Sequence, residues 1–153
     1  MDVNFRKIDI DAFDEENLRE SDLYEEDPRG PDGALDEAKQ KQVAVRSALA
    51  RNDMVGALSL VLDNAPFGPS AEEAKTVSLQ TILTILNSTK STDIPNVVKS
   101  LSPDAQDTLM KYLYKGMAMA DSNGSVLLGW HEKLTEVAGT GCIVRTMTDR
   151  RTV

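Results

Sequence analysis

The side chains that could carry out catalysis are few in this chain, and they do not form a recognisable reactive set. His131 is the only histidine and Cys142 the only cysteine among 153 residues. A Ser-His-Asp relay needs only one histidine, but no serine has the flanking glycines of a nucleophile elbow. A nearby helix N-terminus could lower the pKa of the Cys142 thiol, although a small buried core residue is the preferred interpretation. The sequence therefore predicts that the protein is not an enzyme.

Two short segments approach known ligand-binding motifs without completing them. One has acceptor side chains at positions one, three, five and twelve of a calcium-binding loop, namely Asp121, Asn123, Ser125 and Glu132. Its sixth position is Val126, where the sharp turn of that loop requires glycine. The other segment, residues 139–141, lacks the lysine and the preceding strand of a phosphate-binding loop. Because one cysteine and one histidine cannot complete a zinc site, we expect no metal and no cofactor.

Aromatic residues beside charged ones are better candidates for binding a protein partner. Lys111, Tyr112 and Tyr114 belong to one predicted helix, on which the two tyrosines point about 200° apart. One tyrosine is therefore expected in the core and the other at an interface, and the same division is expected for Trp130 and His131. Such rings are common in interfaces because they bury apolar area while a polar end finds a partner.

The elements that position these residues are predicted to be helices, because apolar residues recur with helical spacing beyond the acidic N-terminal part of the chain. The first helix is expected over residues 34–51, and Asn52 or Asp53 is expected to cap the second. Ser70 and Glu73 have the spacing of a capping box at the start of the third. Apolar residues cover more than one face of that helix, which predicts a central position.

Four further helices are bounded by start and stop signals. Asp93, or one of the two residues before it, is expected to cap the short fourth helix. Ser102 starts the fifth helix, which is expected to stop at Gly116. The sixth is expected to stop at Gly139 or Gly141, and a short seventh follows. The sequence thus predicts an all-α domain over residues 34–153.

Two arrangements of about seven helices fit this pattern. Short connections favour packing between sequential neighbours, either as a compact antiparallel bundle or as a short superhelical stack. No fixed repeat period marks a standard solenoid. An extended N-terminal arm is expected to precede either arrangement.

The net charge of −8 lies entirely in residues 1–33, which carry twelve acids and four bases. The rest of the chain is neutral, so it lacks the basic surface that nonspecific nucleic-acid binding requires. No stretch approaches the roughly 20 apolar residues that span a bilayer, and charges occupy the position of a signal-peptide core. We therefore expect a cytoplasmic protein without nucleic-acid binding or membrane insertion.

The N-terminal arm combines a segment that could dock on a partner with a predicted flexible linker. Within residues 5–13, Ile8 and Ile10 alternate with Asp9 and Asp11, as in an extended strand. The large apolar side chains of this segment are Phe5, Ile8, Ile10 and Phe13. Residues 17–33 are acidic and end in a cluster of proline and glycine, which predicts a flexible linker. The alternative is a solvated terminus that contacts nothing.

Several segments in fixed order resemble one known family. They are residues 5–11, 13–17, 109–116, 127–133, 143–145 and 151–153. Together they resemble the smallest subunit (subunit 5) of the actin-related protein 2/3 complex. Residues 18–33 and the loop around residues 64–70 depart from the expected pattern, as variable linkers do.

The resemblance implies a structural subunit in a complex that nucleates branched actin filaments. It implies a helical body held against a β-propeller subunit and another scaffold subunit, and an arm that tethers an actin-related protein subunit. Contact with actin would then come through the complex, in the cytoplasm at the actin cytoskeleton. Arg145 joins the partner-binding candidates because it lies in a matching segment.

Two other interpretations of the sequence stay open beside the resemblance. The chain could be a generic helical adaptor whose acidic arm binds a basic partner, in which case binding would weaken steeply with salt. It could also be an enzyme with an unrecognised site, in which case substitution of His131 or Cys142 would abolish function.

Overall fold

The computed structural model of the protein describes residues 23–119 and 123–153. Those residues form seven α-helices and one short 3-10 helix, without a β-strand. The α-helices are α1 Gly30–Ala50, α2 Met54–Leu62, α3 Glu72–Ser88, α4 Ile94–Ser100, α5 Pro103–Met117, α6 Gly124–Ala138 and α7 Thr140–Thr148. The predicted all-α fold is confirmed. The four apolar side chains of the predicted docking segment, Phe5, Ile8, Ile10 and Phe13, lie outside the described residues.

The first helix begins earlier than predicted, at Gly30 rather than at residue 34. Pro31 occupies its first turn, where the fixed φ of proline suits a helix and the missing N–H costs no hydrogen bond. Asp32 adds an acid near the positive end of the helix dipole. The proline and glycine cluster that predicted a linker is therefore in part a helix start.

Two of the predicted side-chain caps are present. The Asp53 carboxylate accepts a hydrogen bond of 2.8 Å from the Gly56 amide at the start of α2. At the start of α5, the Ser102 hydroxyl accepts one of 3.2 Å from the Ala105 amide. Asp93 occupies the N-cap position of α4, but its side chain makes no capping bond.

The predicted capping box before the third helix is wrong. Gly68 has a φ of +84° and leads into a 3-10 helix, Pro69–Ala71. This turn takes up Ser70, so α3 starts at Glu72 with Ala71 as its N-cap and without a side-chain capping bond. The spacing of serine and glutamate alone could not reveal the intervening turn.

The two glycines expected to end helices have different roles. Gly139 has a φ of +76° and ends α6 as predicted. Gly116 instead lies inside α5, which continues to Met117. A Cβ atom on Gly116 would lie 3.2 Å from Leu127 and 3.3 Å from Leu83. Gly116 therefore allows α5 to approach α6 and α3 closely.

One continuous apolar core runs from α1 to the last residues of the chain. α3 packs against α1, α2, α5 and α6, the central position predicted for it. Trp130 and Tyr112 are the largest of its fully buried side chains. A second, smaller cluster of alanines joins the start of α1 to α3 and consists of Ala34, Ala38, Ala71 and Ala74. This shared core favours the compact bundle among the two predicted arrangements.

Candidate functional site

The two residues considered for catalysis are held in packing positions. Cys142 is fully buried, with its Sγ 3.7 Å from the carbonyl oxygen of Gln106. Burial raises the pKa of its thiol to about 12, so the nucleophilic thiolate is scarce near neutral pH. Among the described residues, no group of three or more histidine, cysteine or acidic side chains could hold a metal ion.

The tyrosine and tryptophan–histidine pairs divide between core and surface in the way their spacing predicted. Trp130 is fully buried, and its indole nitrogen donates a hydrogen bond of 3.3 Å to the Leu86 carbonyl. Tyr112 is also buried, which raises the pKa of its hydroxyl. Both rings belong to the core of the isolated chain, so we leave them out of the proposed interface.

Tyr114 and His131 are the half-buried members of these pairs, and they contact each other. The Tyr114 hydroxyl lies 3.1 Å from Nε2 of His131, and the rings meet edge to face with their centroids 5.5 Å apart. Leu128, one turn before His131 on α6, is 61% exposed. These three residues form a mixed apolar and polar surface across α5 and α6.

A second exposed apolar surface lies on α7. Val144 and Met147 are 60% and 64% exposed, and their spacing places them side by side on the helix. α7 packs on α5 and α6 through Cys142 and the partly buried Ile143.

The two predicted basic contacts are engaged within the chain. Lys111 pairs with Asp149 at 2.5 Å and donates a second hydrogen bond of 2.9 Å to the Arg151 carbonyl. Arg145 forms a bidentate salt bridge with Asp107, with N–O distances of 2.6 and 2.8 Å. Both side chains therefore hold α7 and the residues after it against α5.

The segment just before α1 is anchored by a compact ionic cluster that the sequence analysis missed. Asp27 is only 4% exposed, and its carboxylate accepts hydrogen bonds of 2.8 and 2.5 Å from the Arg29 guanidinium. These bonds lower the pKa of Asp27. Arg29 also pairs with Glu37 of α1 at 2.7 Å and donates to the Asn64 carbonyl at 3.0 Å. The cluster thus joins the chain before α1 to the loop after α2.

The residues after α7 complete this region from the other end of the chain. Arg151 pairs with Glu25 at 2.8 Å, and its guanidinium lies 4.8 Å from the centre of the Phe67 ring. Val153 is buried, with a relative exposure of 8%. The tail also lines an open groove of about 870 Å³ between α2 and the start of α5.

Comparison with known proteins gives these surfaces a family context. The family model described as the ARP2/3 complex 16 kDa subunit (p16-Arc) matches residues 4–153. The chain belongs to this family. The match begins before the predicted docking segment and extends through the whole helical body, so the p16-Arc family accounts for both parts of the sequence.

Relatives from distant organisms agree with membership of the p16-Arc family. Subunit 5-C of the actin-related protein 2/3 complex of Xenopus laevis is 39% identical over 152 residues, covering 99% of this chain and 95% of the relative. Subunit 5 of Saccharomyces cerevisiae is 38% identical, with both chains covered completely. The human subunit 5-like protein is 36% identical, with 97% of this chain and 94% of the relative covered.

In the described ranges 23–119 and 123–153, no helix is both long enough and apolar enough to cross a bilayer.

One sequence signal could have revealed the ionic cluster before α1. Pro31 followed by Asp32 is a common opening for a helix. A helix that starts there makes Arg29 the residue just outside it, where its side chain can reach the first turns. The excess of acids in the segment concealed this signal.

Proposed function

We propose that this chain is a structural, non-catalytic subunit of the actin-related protein 2/3 complex. In this role it serves the nucleation of branched actin filaments, in the cytoplasm at the actin cytoskeleton. The single observation that carries the proposal is the family match over residues 4–153, which includes both the arm and the helical body. The complete mutual coverage with the Saccharomyces cerevisiae subunit supports it.

The helical body is proposed to bind the scaffold subunits, namely a β-propeller subunit and a second scaffold subunit. Its continuous core gives a rigid partner surface without any disulfide among the described residues. The exposed apolar side chains of Leu128, Val144 and Met147 support this role because large apolar groups gain most from burial at an interface. Tyr114 and His131 border the first of these surfaces and add polar groups beside it.

The arm is proposed to tether an actin-related protein subunit through residues 5–13. Burial of Phe5, Ile8, Ile10 and Phe13 would contribute about 1.5–3 kcal/mol each at most. Ordering the backbone costs about 1–2 kcal/mol per residue, so such a short segment binds weakly alone. Attachment to a body that is already bound raises its effective concentration and offsets that weakness.

The absence of catalysis is part of the proposal. Cys142 is buried in the core with a pKa of about 12, and the His131 ring is hydrogen-bonded to the Tyr114 hydroxyl. Both observations support a packing role for the two residues that looked most reactive in the sequence.

Deletion of residues 1–22 in a reconstituted complex tests the tether directly. The variant retains the anchored segment before α1, so the body should stay folded and bound to the scaffold subunits. Retention of the actin-related protein subunit in a pull-down should fall. A charge-preserving variant with Ile8→Ser and Ile10→Ser should reproduce much of the loss, whereas Asp9→Asn with Asp11→Asn serves as the matched control.

The same pull-down separates the tether from a generic acidic adaptor. If Asp9→Asn with Asp11→Asn weakens retention more than the two isoleucine changes, and if added salt abolishes retention, the acidic-adaptor interpretation replaces the apolar tether. Undiminished retention in the deletion variant would rule out tethering by this segment.

A further inference from the structure

We propose that three segments distant in sequence close on one another and fix the point where the N-terminal arm leaves the helical body. The segments are residues 25–29, residues 64–68 and residues 149–153, and we call them together the clasp. Arg151 is the contact that joins the two ends of the described chain. The effect of the clasp on tethering rests on the proposed function, whereas its existence as a rigid unit does not.

The centre of the clasp is the buried pair of Asp27 and Arg29. The Asp27 side chain is fully shielded from solvent, and the Arg29 side chain is 19% exposed. A buried carboxylate is stable only when its charge and its lone pairs are matched. Arg29 meets that need through its Nε and Nη2 atoms, and its backbone amide donates a third bond of 3.0 Å to the same carboxylate.

The second segment supplies a close backbone approach at Gly68. A Cβ atom on this glycine would lie 2.7 Å from the Glu25 carbonyl oxygen, a distance at which atoms collide. Its φ of +84° is also in the region that favours glycine. Residue 68 therefore accepts the passing chain at residues 25–27 only because it has no side chain.

The third segment closes the clasp from the opposite end of the chain. The Arg151 amide donates a hydrogen bond of 3.0 Å to the Asp149 carboxylate, which in turn pairs with Lys111 of α5. This bend directs the Arg151 side chain to both Glu25 and Phe67. The Arg151 side chain thus contacts both residues 25–29, which precede α1, and the loop at residues 64–68.

A fixed exit point sets how many residues separate the proposed docking segment from the body. With the clasp closed, this separation is the stretch of residues 14–24. With the clasp open, it extends to residue 29, just before α1. Once a linker is long enough to span its two sites, effective concentration falls with roughly the −3/2 power of its length, so lengthening it from about 11 to about 16 residues should weaken tethering about twofold.

Hydrogen–deuterium exchange in the reconstituted complex tests the clasp itself. Arg151→Ala removes both the ion pair with Glu25 and the contact with the Phe67 ring. Exchange of the Arg29 and Gly30 amides, which donate hydrogen bonds to the carboxylate and the carbonyl of Asp27, should become about two- to fivefold faster. This is the size expected for one exposed cation–π contact and one exposed ion pair. Arg150→Ala changes the net charge equally at a neighbouring exposed position and should leave exchange as in the wild type.

A second variant keeps the test decisive if Arg151 contributes little. Asp27→Asn removes the central charge and should accelerate exchange at Arg29 and Gly30 more than Arg151→Ala does. If neither variant differs from Arg150→Ala in exchange at these residues, the clasp is wrong.

Retention of the actin-related protein subunit separates the two proposals. If deletion of residues 1–22 leaves retention unchanged, the tether fails, but exchange at Arg29 and Gly30 still tests the clasp. If that deletion weakens retention and the double variant Asp27→Asn with Arg151→Ala removes the exchange protection of Arg29 and Gly30, a fall of about twofold in retention with the double variant supports the shortened linker. In that case, unchanged retention would overturn the link between clasp and tether.

Discussion

The guanidinium of Arg29 donates hydrogen bonds of 2.8 and 2.5 Å to the carboxylate of Asp27, which is almost completely buried. Breaking such a pair from one side leaves a charge without its partner in a poorly solvated place. We therefore expect Arg29→Ala to lower the free energy of unfolding by about 3 kcal/mol. Urea denaturation of the full chain measures this change, and Arg46→Ala, at an exposed position on α1, is the control. Equal stabilities for the two variants would contradict the role of the pair.

The same pair predicts how stability depends on acid. Arg29 lowers the pKa of Asp27, and Arg145 lowers that of Asp107. A carboxylate with a lowered pKa in the folded state contributes stability above its ordinary pKa, which is lost as the pH falls through the lowered value. Stability from these two pairs should therefore decline below about pH 4.

A single variant isolates the part of this decline that comes from Asp27. Asp27→Asn should be less stable than the wild type at pH 7, and the gap should narrow toward pH 2. Denaturant titrations at a series of pH values measure it, with Asp36→Asn on the exposed side of α1 as the control. A gap that stays constant with pH would show that the charge of Asp27 is unimportant.

The role of Gly116 can be tested against another helical glycine. A valine at residue 116 would press on Leu127 and Leu83, so we expect Gly116→Val to lower the free energy of unfolding by about 1–3 kcal/mol. Gly129 has open space around it, and Gly129→Val should be neutral or slightly stabilising because valine favours a helix more than glycine does. Similar losses in both variants would mean that close packing at Gly116 is not the cause.

The buried thiol predicts slow chemical labelling. Because burial raises the pKa of Cys142 to about 12, iodoacetamide at pH 8 should modify the native chain far more slowly than the unfolded chain. The control is a chain with Cys142→Ala and Ser47→Cys, which moves the single thiol to an exposed position on α1. Rapid labelling of the wild-type protein under native conditions would contradict the burial.

The exposed face of α7 predicts a loss of binding without a loss of stability. Val144→Asn combined with Met147→Gln should leave thermal unfolding unchanged, since both side chains are exposed. In a reconstituted complex, affinity for the scaffold subunits should fall by about five- to tenfold, as for removal of interface anchors. Val43→Asn alters an exposed apolar residue on α1 and is the control. An unchanged affinity would exclude this face from the interface.

Much of the fold could be predicted from the sequence because its helix signals are local. Periodic apolar residues gave the number of helices, and the caps at Asp53 and Ser102 act over only three residues. The partition of Tyr112 from Tyr114 followed from helical geometry alone. The predicted end of α5 at Gly116 was wrong because a sequence does not distinguish a glycine that ends a helix from one that lets a neighbouring helix pack closely.

The surfaces were harder to predict because they depend on contacts between distant segments. Lys111 and Arg145 looked available, but their partners, Asp149 and Asp107, lie 38 residues away in each case. Arg151 and Glu25 are separated by 126 residues. No pattern within one helix reveals such ion pairs. The family resemblance implied a helical body and an arm, but it did not imply the ion pairs within this chain.

The chain before α1 is bound to the loop after α2 through the Asp27 and Arg29 pair and through the close approach at Gly68. A force that pulls on residue 25 from its N-terminal side would therefore act on these contacts before it reached the first turn of α1.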